Sequence, residues 1–438
     1  MQIASKNRKR QAIPKHHKFS PDFNSVIFIV LWNSLGFFFI EFSMNYYIRY
    51  VLNYLPYNVG LFFSFITMGG LISSSFIGFL TDRYSKRILV MIGSFGRGIS
   101  YFGLYISVIA ESLIGMYVSA FVLGLGANIF WNPLDTIISE KSSKYHRSSA
   151  FGKRRFALGM GMLIGTVLGF VIFGLADALT PGNAFFLYGA IPIFGIANFV
   201  AGIQFSRKVD EKKKFVYPED NPNSLIESEL ENSTIPTKKS TNRLFIFGII
   251  ILLSGFFLTA INSGFYRPYI QLYVLDFINH DPVSVAVFYF PAALLGAIIA
   301  PKLGTLADRV NTYYAVTVAS ILGGLVTWLI INSGNLWFFA FLLVIDNTIM
   351  LTVSFVFINF LSRVSVKHRG KLFSVITLFE SIGNIIGPFF GGIIYYINPQ
   401  APFIISIIVE WSLISFFILG MWILNPYLVE SKEIKKKN

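Results

Sequence analysis

Six ionisable side chains lie inside stretches of the chain that are otherwise almost wholly apolar. They are Glu41, Arg97, Arg267, Asp346, Glu380 and Glu410. An ionised group costs about 3 kcal/mol at the centre of an apolar spanning helix, so each one needs a partner or a function. A buried carboxylate could bind and release a proton or pair with a cation, and a buried arginine could receive an anion.

The signatures of covalent catalysis and of metal binding are missing. The chain has no cysteine, which excludes disulfides, thiol chemistry and cysteine-ligated metals. Its five histidines are scattered without the spacing of a ligand set, and no Gly-x-x-x-x-Gly-Lys loop for nucleotide phosphates is present. The sequence therefore predicts a protein that is not an enzyme, binds no metal or cofactor and is not driven by ATP.

The apolar stretches that carry these charges have the length of membrane spans. Apolar residues make up 54% of the chain and charged residues 13%, and about 20 apolar residues suffice for a helix to cross a bilayer. The first run, from near Ser25, is itself long enough to span, so we expect no cleaved signal peptide. The predicted spans are 25–50, 57–80, 88–110, 113–140, 154–176, 183–206, 243–275, 283–303, 313–333, 335–362, 371–397 and 401–424.

Basic residues are distributed unevenly about these spans. Every Lys and Arg except Arg49, Arg97 and Arg267 falls in the two tails, the long central break or an even-numbered loop. Because basic loops stay in the cytoplasm, both termini are predicted to be cytoplasmic, in a protein of the plasma membrane. The net charge of +14 is then an orientation signal and a contact for anionic membrane lipids, and no nucleic-acid partner is expected.

The chain contains two related halves. The repeated positions are Gly78, Asp82 and Arg83 with Gly304, Asp308 and Arg309, at a spacing of 226, and Gly161, Gly165 and Gly169 with Gly383, Gly387 and Gly391, at a spacing of 222. Such a repeat in an apolar chain indicates a transporter. The predicted units are a basic cytoplasmic tail at 1–24, a six-helix bundle at 25–206, a flexible cytoplasmic linker at 207–242, a second bundle at 243–424 and a basic tail at 425–438.

This organisation resembles the major facilitator superfamily over essentially the whole chain. The residues that carry the resemblance are Gly78, Asp82, Arg83, Lys86 and Arg87 after the second span, with Gly304, Asp308 and Arg309 in the second copy. Ser85 stands where the family usually has glycine. The resemblance implies an all-α polytopic membrane protein of twelve transmembrane helices, arranged as two pseudo-symmetric six-helix bundles.

By the same resemblance, the loop between the second and third spans is a gate on the cytoplasmic side. Asp82 would face the start of the eleventh span, where the helix dipole favours a carboxylate. Arg83 and Lys86 would reach a carboxylate at the end of the fourth span, for which Asp135 and Glu140 are the candidates. The contacts would form when the inner side closes and break when it opens. The alternative is that these residues only anchor helix ends.

Small residues on the eleventh span predict close helix packing. They are Gly383, Gly387, Pro388 and Gly391, and the proline also removes one backbone hydrogen bond. In the family's drug–proton antiporters a Gly-Pro motif marks the fifth span and an arginine stands on the fourth. Here the fifth span has Thr166 and the fourth has Ala120 at those positions, which weighs against a drug antiporter.

The resemblance also places spans 1, 4, 7 and 10 around a central cavity. The candidates for substrate binding and proton coupling are Glu41, Asp346, Glu380, Arg267, Asn33 and Asn132. Glu41 and Asp346 lead, because a carboxylate there could carry the proton or bind a cationic solute. The alternative is ion pairing between helices, such as an outer-gate pair of Arg267 with Glu41 or Asp276, and Arg97 and Glu410 are expected to form structural pairs of this kind.

The function predicted first is secondary active transport of a small solute by alternating access, as proton-coupled symport of a metabolite. The second hypothesis is proton-coupled efflux of lipophilic or cationic compounds. A third is a sensor with a transporter fold that moves no solute. Because one chain forms a complete pseudo-symmetric unit, a monomer is expected.

Overall fold

The computed structural model describes residues 19–143, 147–213, 215, 243–289, 291–292, 295, 299, 312–364 and 369–425. Within this part of the chain, eleven helices are long and apolar enough to cross a membrane. The predicted eighth span, 283–303, is described as helix over 282–289 and lies otherwise largely outside the described residues. Gly304, Asp308 and Arg309 of the second loop motif also lie outside them.

We number the helices as spans in chain order. The first half contains spans 1 (Phe23–Val51), 2 (Pro56–Arg83), 3 (Lys86–Ile109), 4 (Leu113–Glu140), 5 (Arg147–Leu179) and 6 (Ala184–Lys208). The second half contains spans 7 (Arg243–Phe277), 8 (from residue 282), 9 (Thr312–Ile331), 10 (Leu336–Val364), 11 (Arg369–Ile397) and 12 (Ala401–Leu424). The all-α polytopic fold is confirmed, and the largest difference in a bound is the start of span 5 at Arg147 instead of 154.

We call the side at which span 1 begins the terminal side and the opposite side the far side. Buried apolar side chains show where the two halves meet. One large cluster is continuous between the halves and joins Phe62 of span 2 to Tyr269 of span 7. Towards the terminal side the described residues form two separate clusters, one around Leu134 in the first half and one around Phe417 in the second. The halves are therefore packed together from the cavity level to the far side.

Span 1 is interrupted halfway along its length, although the sequence predicts it as one unbroken run. A helix ends at Asn33, a turn occupies residues 34–36, and a second helix runs over Phe37–Tyr46 before a π-helical turn at Tyr47–Val51. Gly36 has a φ of +81°, a left-handed conformation that glycine adopts without strain. The break separates the first part of span 1 from the part that carries Glu41.

Glycines of span 5 pack directly against this break. A Cβ atom on Gly161 would lie 2.3 Å from the carbonyl oxygen of Leu31, and one on Gly165 would lie 2.3 Å from the backbone nitrogen of Gly36. At the equivalent glycines of span 11, Gly383, Gly387 and Gly391, a Cβ would lie 2.8, 2.5 and 2.4 Å from a backbone oxygen of span 7. The repeated glycines thus allow the same close packing in both halves, of span 5 against span 1 and of span 11 against span 7.

The first residues of the linker lie against the terminal side of the first half. The buried ammonium group of Lys141 is 2.6 Å from the Asp22 carboxylate and donates to the carbonyls of Asp210 (2.7 Å) and Lys213 (2.8 Å). The sequence predicts a flexible linker from residue 207, but span 6 continues to Lys208 and these contacts fix the chain up to 213. The polar composition of the linker did not show these contacts, because it does not reveal a buried lysine that binds three acceptors.

Candidate functional site

A cavity of about 510 Å³ lies between the two halves. Its charged and amide side chains are Glu41 from span 1, Arg267 from span 7, Asp346 and Asn347 from span 10, and Asn384 from span 11. A cavity of this size suits a small organic solute. Each half thus contributes at least one charged group to the same cavity.

Three of the predicted site residues meet in this cavity. The positive charge of Arg267 acts on the carboxylates of both Glu41 and Asp346. Across the described ranges, however, every ion pair closer than 4.0 Å lies on the terminal side, away from this cavity. The guanidinium instead contacts the Met350 sulfur and the Tyr266 hydroxyl. Because arginine has five N–H donors, these two contacts leave donors for a solute.

Two prolines add backbone acceptors to the wall of the cavity. Pro268 lies inside span 7 and Pro388 inside span 11, and both line the cavity. A proline has no N–H, so the carbonyl four residues earlier loses its helical hydrogen bond. Those carbonyls belong to Gly264 and Asn384, which are also lining residues. The cavity therefore combines two carboxylates with two backbone carbonyls that are available to a donor.

The rest of the wall is mainly apolar and aromatic. Phe38 of span 1 and Phe63 of span 2 line it from the first half, and Tyr289 of span 8 and Leu343 of span 10 line it from the second. Such a wall can hold the apolar body of a solute, while the few polar groups orient its ends.

Three other predicted site residues lie outside the lining of this cavity. Asn33 is fully buried, where its amide donates to the Ser94 hydroxyl at 2.7 Å. Asn132 of span 4 is exposed, and its carbonyl accepts a hydrogen bond from Thr136. Glu380 is half-buried on span 11, one turn before Asn384 on the terminal side of the cavity. Any role of these three in binding remains a prediction.

Arg97 and Glu410 lie between helices, as expected for support spans, but Arg97 has an unexpected partner. Its guanidinium donates to the amide oxygen of Asn33 and, at 3.4 Å, to the Tyr101 hydroxyl. No carboxylate lies within 4.0 Å of it among the residues described. Glu410 of span 12 lies against Gly323 of span 9, where a Cβ would come within 2.3 Å of its carboxylate.

The predicted gate loop forms part of its expected contacts. Lys86 lies 3.2 Å from Glu140, one of the two carboxylates expected to receive it. Asp135, the other, pairs with Arg154 of span 5 at 2.9 Å. Arg83 lies over the ring of Phe79, 4.2 Å from its centroid.

The remaining loop residues have no described contact with the second half. Asp82 and Arg87 are exposed, and a Cβ at Gly78 would meet no described atom within 4 Å. Among the described residues, Gly78 therefore has no close neighbour on the terminal side. The side chains at the start of span 11 lie outside the described residues, so the contact of Asp82 with that helix end stays a prediction.

Sequence reasoning missed Glu211, which binds the gate loop from the linker. Its carboxylate accepts from the Ser85 hydroxyl at 2.6 Å and from the backbone N–H groups of Lys86 (3.1 Å) and Arg87 (3.4 Å). Burial opposes ionisation, but these hydrogen bonds outweigh it and lower the pKa of Glu211. The one available signal was Ser85, a hydroxyl where the family usually has glycine.

Sequence reasoning also missed most of the groups that close the far side. The Asp276 carboxylate accepts from Tyr50 of span 1 and from Tyr395 of span 11, both at 2.7 Å. The sequence left open an outer-gate ion pair of Asp276 with Arg267, and among the described residues Asp276 has no ion pair closer than 4.0 Å. Two phenols satisfy both carboxylate oxygens, so the far-side contact needs no salt bridge.

The fold and the site together define a polytopic helical transporter whose cavity lies between two related halves. The chain belongs to the Major Facilitator Superfamily, whose family model matches residues 26–366. It is 22% identical to Multidrug resistance protein 2 of Bacillus subtilis, over 77% of this chain and 79% of that protein. It is 20% identical to the quinolone resistance protein NorA of Staphylococcus aureus, over 80% of this chain and 84% of NorA.

Solved structures of transporters share the fold. A structure from work on proton dependent oligopeptide transporters has a TM-score of 0.67 at 13% identity, over 93% of this chain and 98% of that chain. A bacterial homologue of the human lysosomal transporter Spinster, in an inward-facing and unoccupied conformation, has a TM-score of 0.64 at 13% identity over the same shares. At such identity the likeness shows the fold alone.

Proposed function

We propose that the protein moves a small solute through the central cavity by alternating access and couples this movement to protons. The observation that carries the proposal is the meeting of Glu41, Arg267 and Asp346 in one cavity between the halves. Alternating access requires a site that both halves share. Glu41 belongs to the first half and the other two belong to the second, so the geometry of the site changes when the halves move.

Glu41 and Asp346 are the proposed proton carriers. With both carboxylates ionised, the three charged side chains of the cavity sum to −1, and one bound proton makes the sum zero. A charge inside the membrane is costly, so the neutral site passes more easily through the intermediate in which both sides are closed. A bound proton, or a cationic group of the solute beside Glu41, would lower the barrier in the same way.

The leading solute is a small metabolite that carries both an anionic and a cationic group, imported with protons. Arg267 provides the planar donors that match a carboxylate. Glu41 and the carbonyls of Gly264 and Asn384 can accept from an ammonium group. Phe38 and Phe63 would contact the apolar part between the charges.

A second candidate, efflux of lipophilic cations, is favoured by the names of the relatives. Two of them are called multidrug and quinolone resistance proteins. In this alternative Glu41 binds the cation and Phe38, Phe63 and Tyr289 contact its rings. The chain lacks the fourth-span arginine and the fifth-span Gly-Pro of the family's drug–proton antiporters, which weighs against it.

In this proposal the terminal side faces the cytoplasm, in accord with its basic residues, and the structure is the inward-open state of a plasma-membrane protein. The loop with Gly78, Asp82, Arg83, Lys86 and Arg87 acts as the inner gate. The protein works as a monomer in contact with anionic lipids.

The first test is a ligand screen by thermal stability of the detergent-purified protein, at acidic and neutral pH. Sugars, amino acids, organic acids and lipophilic cations are compared on the wild type, Glu41→Gln and Asn132→Ala, the last outside the cavity lining. We expect stabilisation by amino acids or related zwitterions that is lost in Glu41→Gln and kept in Asn132→Ala.

The second test is flux of the stabilising solute into sealed proteoliposomes with and without an imposed pH gradient. Uptake should be accelerated by the gradient in the wild type, and the gradient should have no effect in Glu41→Gln. Stabilisation and export of unrelated lipophilic cations would replace the first candidate with the second. Absence of flux for every bound ligand would favour a sensor and refute transport.

A further inference from the structure

The second parts of spans 1 and 7 touch each other through polar pairs. The amide of Asn45 donates to the side-chain oxygen of Gln271 at 3.0 Å, and the Tyr50 hydroxyl donates to the Asp276 carboxylate at 2.7 Å. Both pairs join the first half of the chain to the second. They lie between the cavity and the far side, where the halves are closed.

These partners occupy equivalent positions in the two halves. Each pair is separated by 226 residues, the spacing that relates the two copies of the loop motif. Glu41 and Arg267 of the cavity have the same spacing. Spans 1 and 7 therefore face each other at three successive pairs of equivalent positions, which we call the seam: Asn45–Gln271 and Tyr50–Asp276, which are hydrogen-bonded, and Glu41–Arg267, which interact through their charges without an ion pair closer than 4.0 Å.

The middle pair is bonded more extensively than one amide contact requires. Gln271 is 3% exposed, and its NH₂ group also donates to the Phe42 carbonyl at 2.9 Å. Phe42 directly follows Glu41, and Gln271 lies one helical turn after Arg267. Because residues four apart lie on the same helix face, the amide of Gln271 is adjacent to both members of the central pair.

A break in the helix separates the part of span 1 that forms the seam from the rest of that span. The break at residues 34–36 leaves no continuous helix between Asn33 and Phe37. On the near side of the break, Asn33 is held by Arg97 and Ser94 of its own half. On the other side, the Phe42 carbonyl accepts from Gln271, and Asn45 and Tyr50 donate to span 7, while the Tyr47 hydroxyl donates to the Val108 carbonyl of span 3 at 2.6 Å.

We propose that the Asn45–Gln271 pair couples the central site to the far-side gate: it holds the far side closed until a change at Glu41–Arg267 draws the Phe37–Tyr46 helix away from span 7. The inference rests on the proposed alternating access. A proton or cationic group at Glu41 weakens its attraction to Arg267. The neighbouring Phe42 carbonyl and Asn45 then leave Gln271, and Tyr50 leaves Asp276.

The test measures the position of the gate directly. Because the chain has no cysteine, introduced cysteines provide unique spin-label sites. Ala110→Cys with Gly334→Cys reports the far side, and Tyr84→Cys with Leu244→Cys reports the terminal side, all at exposed positions. Distance distributions are recorded in lipid without solute, so the measurement does not depend on transport.

Gln271→Leu removes both hydrogen bonds of the middle pair. We expect the ratio of far-open to far-closed molecules to rise about tenfold, which corresponds to about 1.4 kcal/mol. Tyr50→Phe, which removes a single hydroxyl, should raise the same ratio about fivefold and provides a milder variant should Gln271→Leu fail to fold. Thr259→Val is the matched control, since that span 7 hydroxyl donates to Gly255 of its own helix.

Exchange of the two partners gives a rescue experiment. The double variant Asn45→Gln with Gln271→Asn keeps one amide on each side of the axis, so we expect its distances to return to within twofold of the wild type. Unchanged distances in both Gln271→Leu and Tyr50→Phe, or a double variant as open as Gln271→Leu, would overturn the seam. If the variants open as expected but the wild type carries no solute, the transport proposal is refuted and the seam stands.

Discussion

Replacement of Lys141 tests whether the start of the linker is fastened to the first half. In the structure the lysine side chain is 2% exposed and its ammonium group has three acceptors, the Asp22 carboxylate and the carbonyls of Asp210 and Lys213. Lys141→Met keeps the length of the side chain and removes the charge. It leaves two carbonyls without their donor and the Asp22 carboxylate without its cation, although that carboxylate keeps the Ser20 hydroxyl and the Asp210 N–H as donors.

The expected cost follows from this geometry. Removal of one partner from a buried ion pair costs about 3–5 kcal/mol, because the other charge is left buried. For an unfolding unit of 150–250 residues, 1 kcal/mol shifts the melting temperature by about 2–4 °C. We therefore expect Lys141→Met to melt roughly 12 °C below the wild type, taking about 4 kcal/mol and the middle of that range. The matched control is Lys86→Met. It removes the partly exposed ion pair of Lys86 with Glu140, which should contribute about 1 kcal/mol or less to the free energy of unfolding.

The same variant has a pH signature. Burial raises the pKa of the Asp22 carboxyl, but hydrogen bonds from Lys141, Ser20 and the Asp210 amide outweigh it, so this pKa lies below the ordinary value of 3.8. A carboxyl with a depressed pKa stabilises the fold fully above its unfolded pKa and loses that effect as the pH falls through the folded one. The melting temperature should therefore fall further between pH 5 and pH 3 for the wild type than for Lys141→Met.

The assay is a melting curve of the detergent-purified protein followed by intrinsic fluorescence, at several pH values and one scan rate. A Lys141→Met protein that melts within about 3 °C of the wild type at pH 7 would show that the lysine is not a buried tie. A pH dependence of the melting temperature identical to that of the wild type would show that Lys141 does not lower the pKa of Asp22.

Three further perturbations address the span 1 break, the gate loop and the orientation. Gly165→Ala places a methyl 2.3 Å from the Gly36 nitrogen, so it should lower the free energy of unfolding by about 1–3 kcal/mol and reduce transport. Gly174→Ala is the control: its methyl meets no described atom within 4 Å, so melting and flux assays should match the wild type. Glu211→Gln should lower the free energy of unfolding by about 1 kcal/mol at pH 7, as measured by melting curves. Because the pKa of Glu211 in the folded protein lies below the ordinary 4.5, this difference from the wild type should vanish as the pH falls through that folded pKa. Tyr84→Cys should react with a membrane-impermeant thiol reagent in inside-out vesicles and stay unlabelled in intact cells; labelling in intact cells would reverse the proposed topology.

The helical fold could be predicted because apolar length is a strong local signal. Spans 4 and 12 begin and end at the predicted residues, and the family resemblance was carried by a short loop motif. The break in span 1 could not be predicted, because residues 34–36 read as part of one apolar run. It depends on a glycine with positive φ and on Gly165 of another span, which lies too close for an ordinary helix to pass.

The candidate site was predicted in part. Glu41, Arg267 and Asp346 were singled out because a charge in an apolar span is exceptional, and the structure brings all three to one cavity. Asn33 was singled out for the same kind of reason, yet it is bonded to Arg97 inside the first half. A polar residue within a span shows that a partner exists, but the partner can be another helix instead of a solute.

Gln271 shows a limit of the internal repeat as a guide to contacts. The spacing of 226 was visible in the loop motif, and applied to Asn45 it gives Gln271, but nothing in the sequence indicates that these equivalent positions touch. By itself the sequence predicted the number, order and orientation of the spans, because these predictions depend on local hydropathy and on the distribution of Lys and Arg. Only the tertiary structure decided which charges share the cavity, which side of the halves is closed and which residues pair across the axis, because such contacts join positions on different spans that lie far apart in the chain.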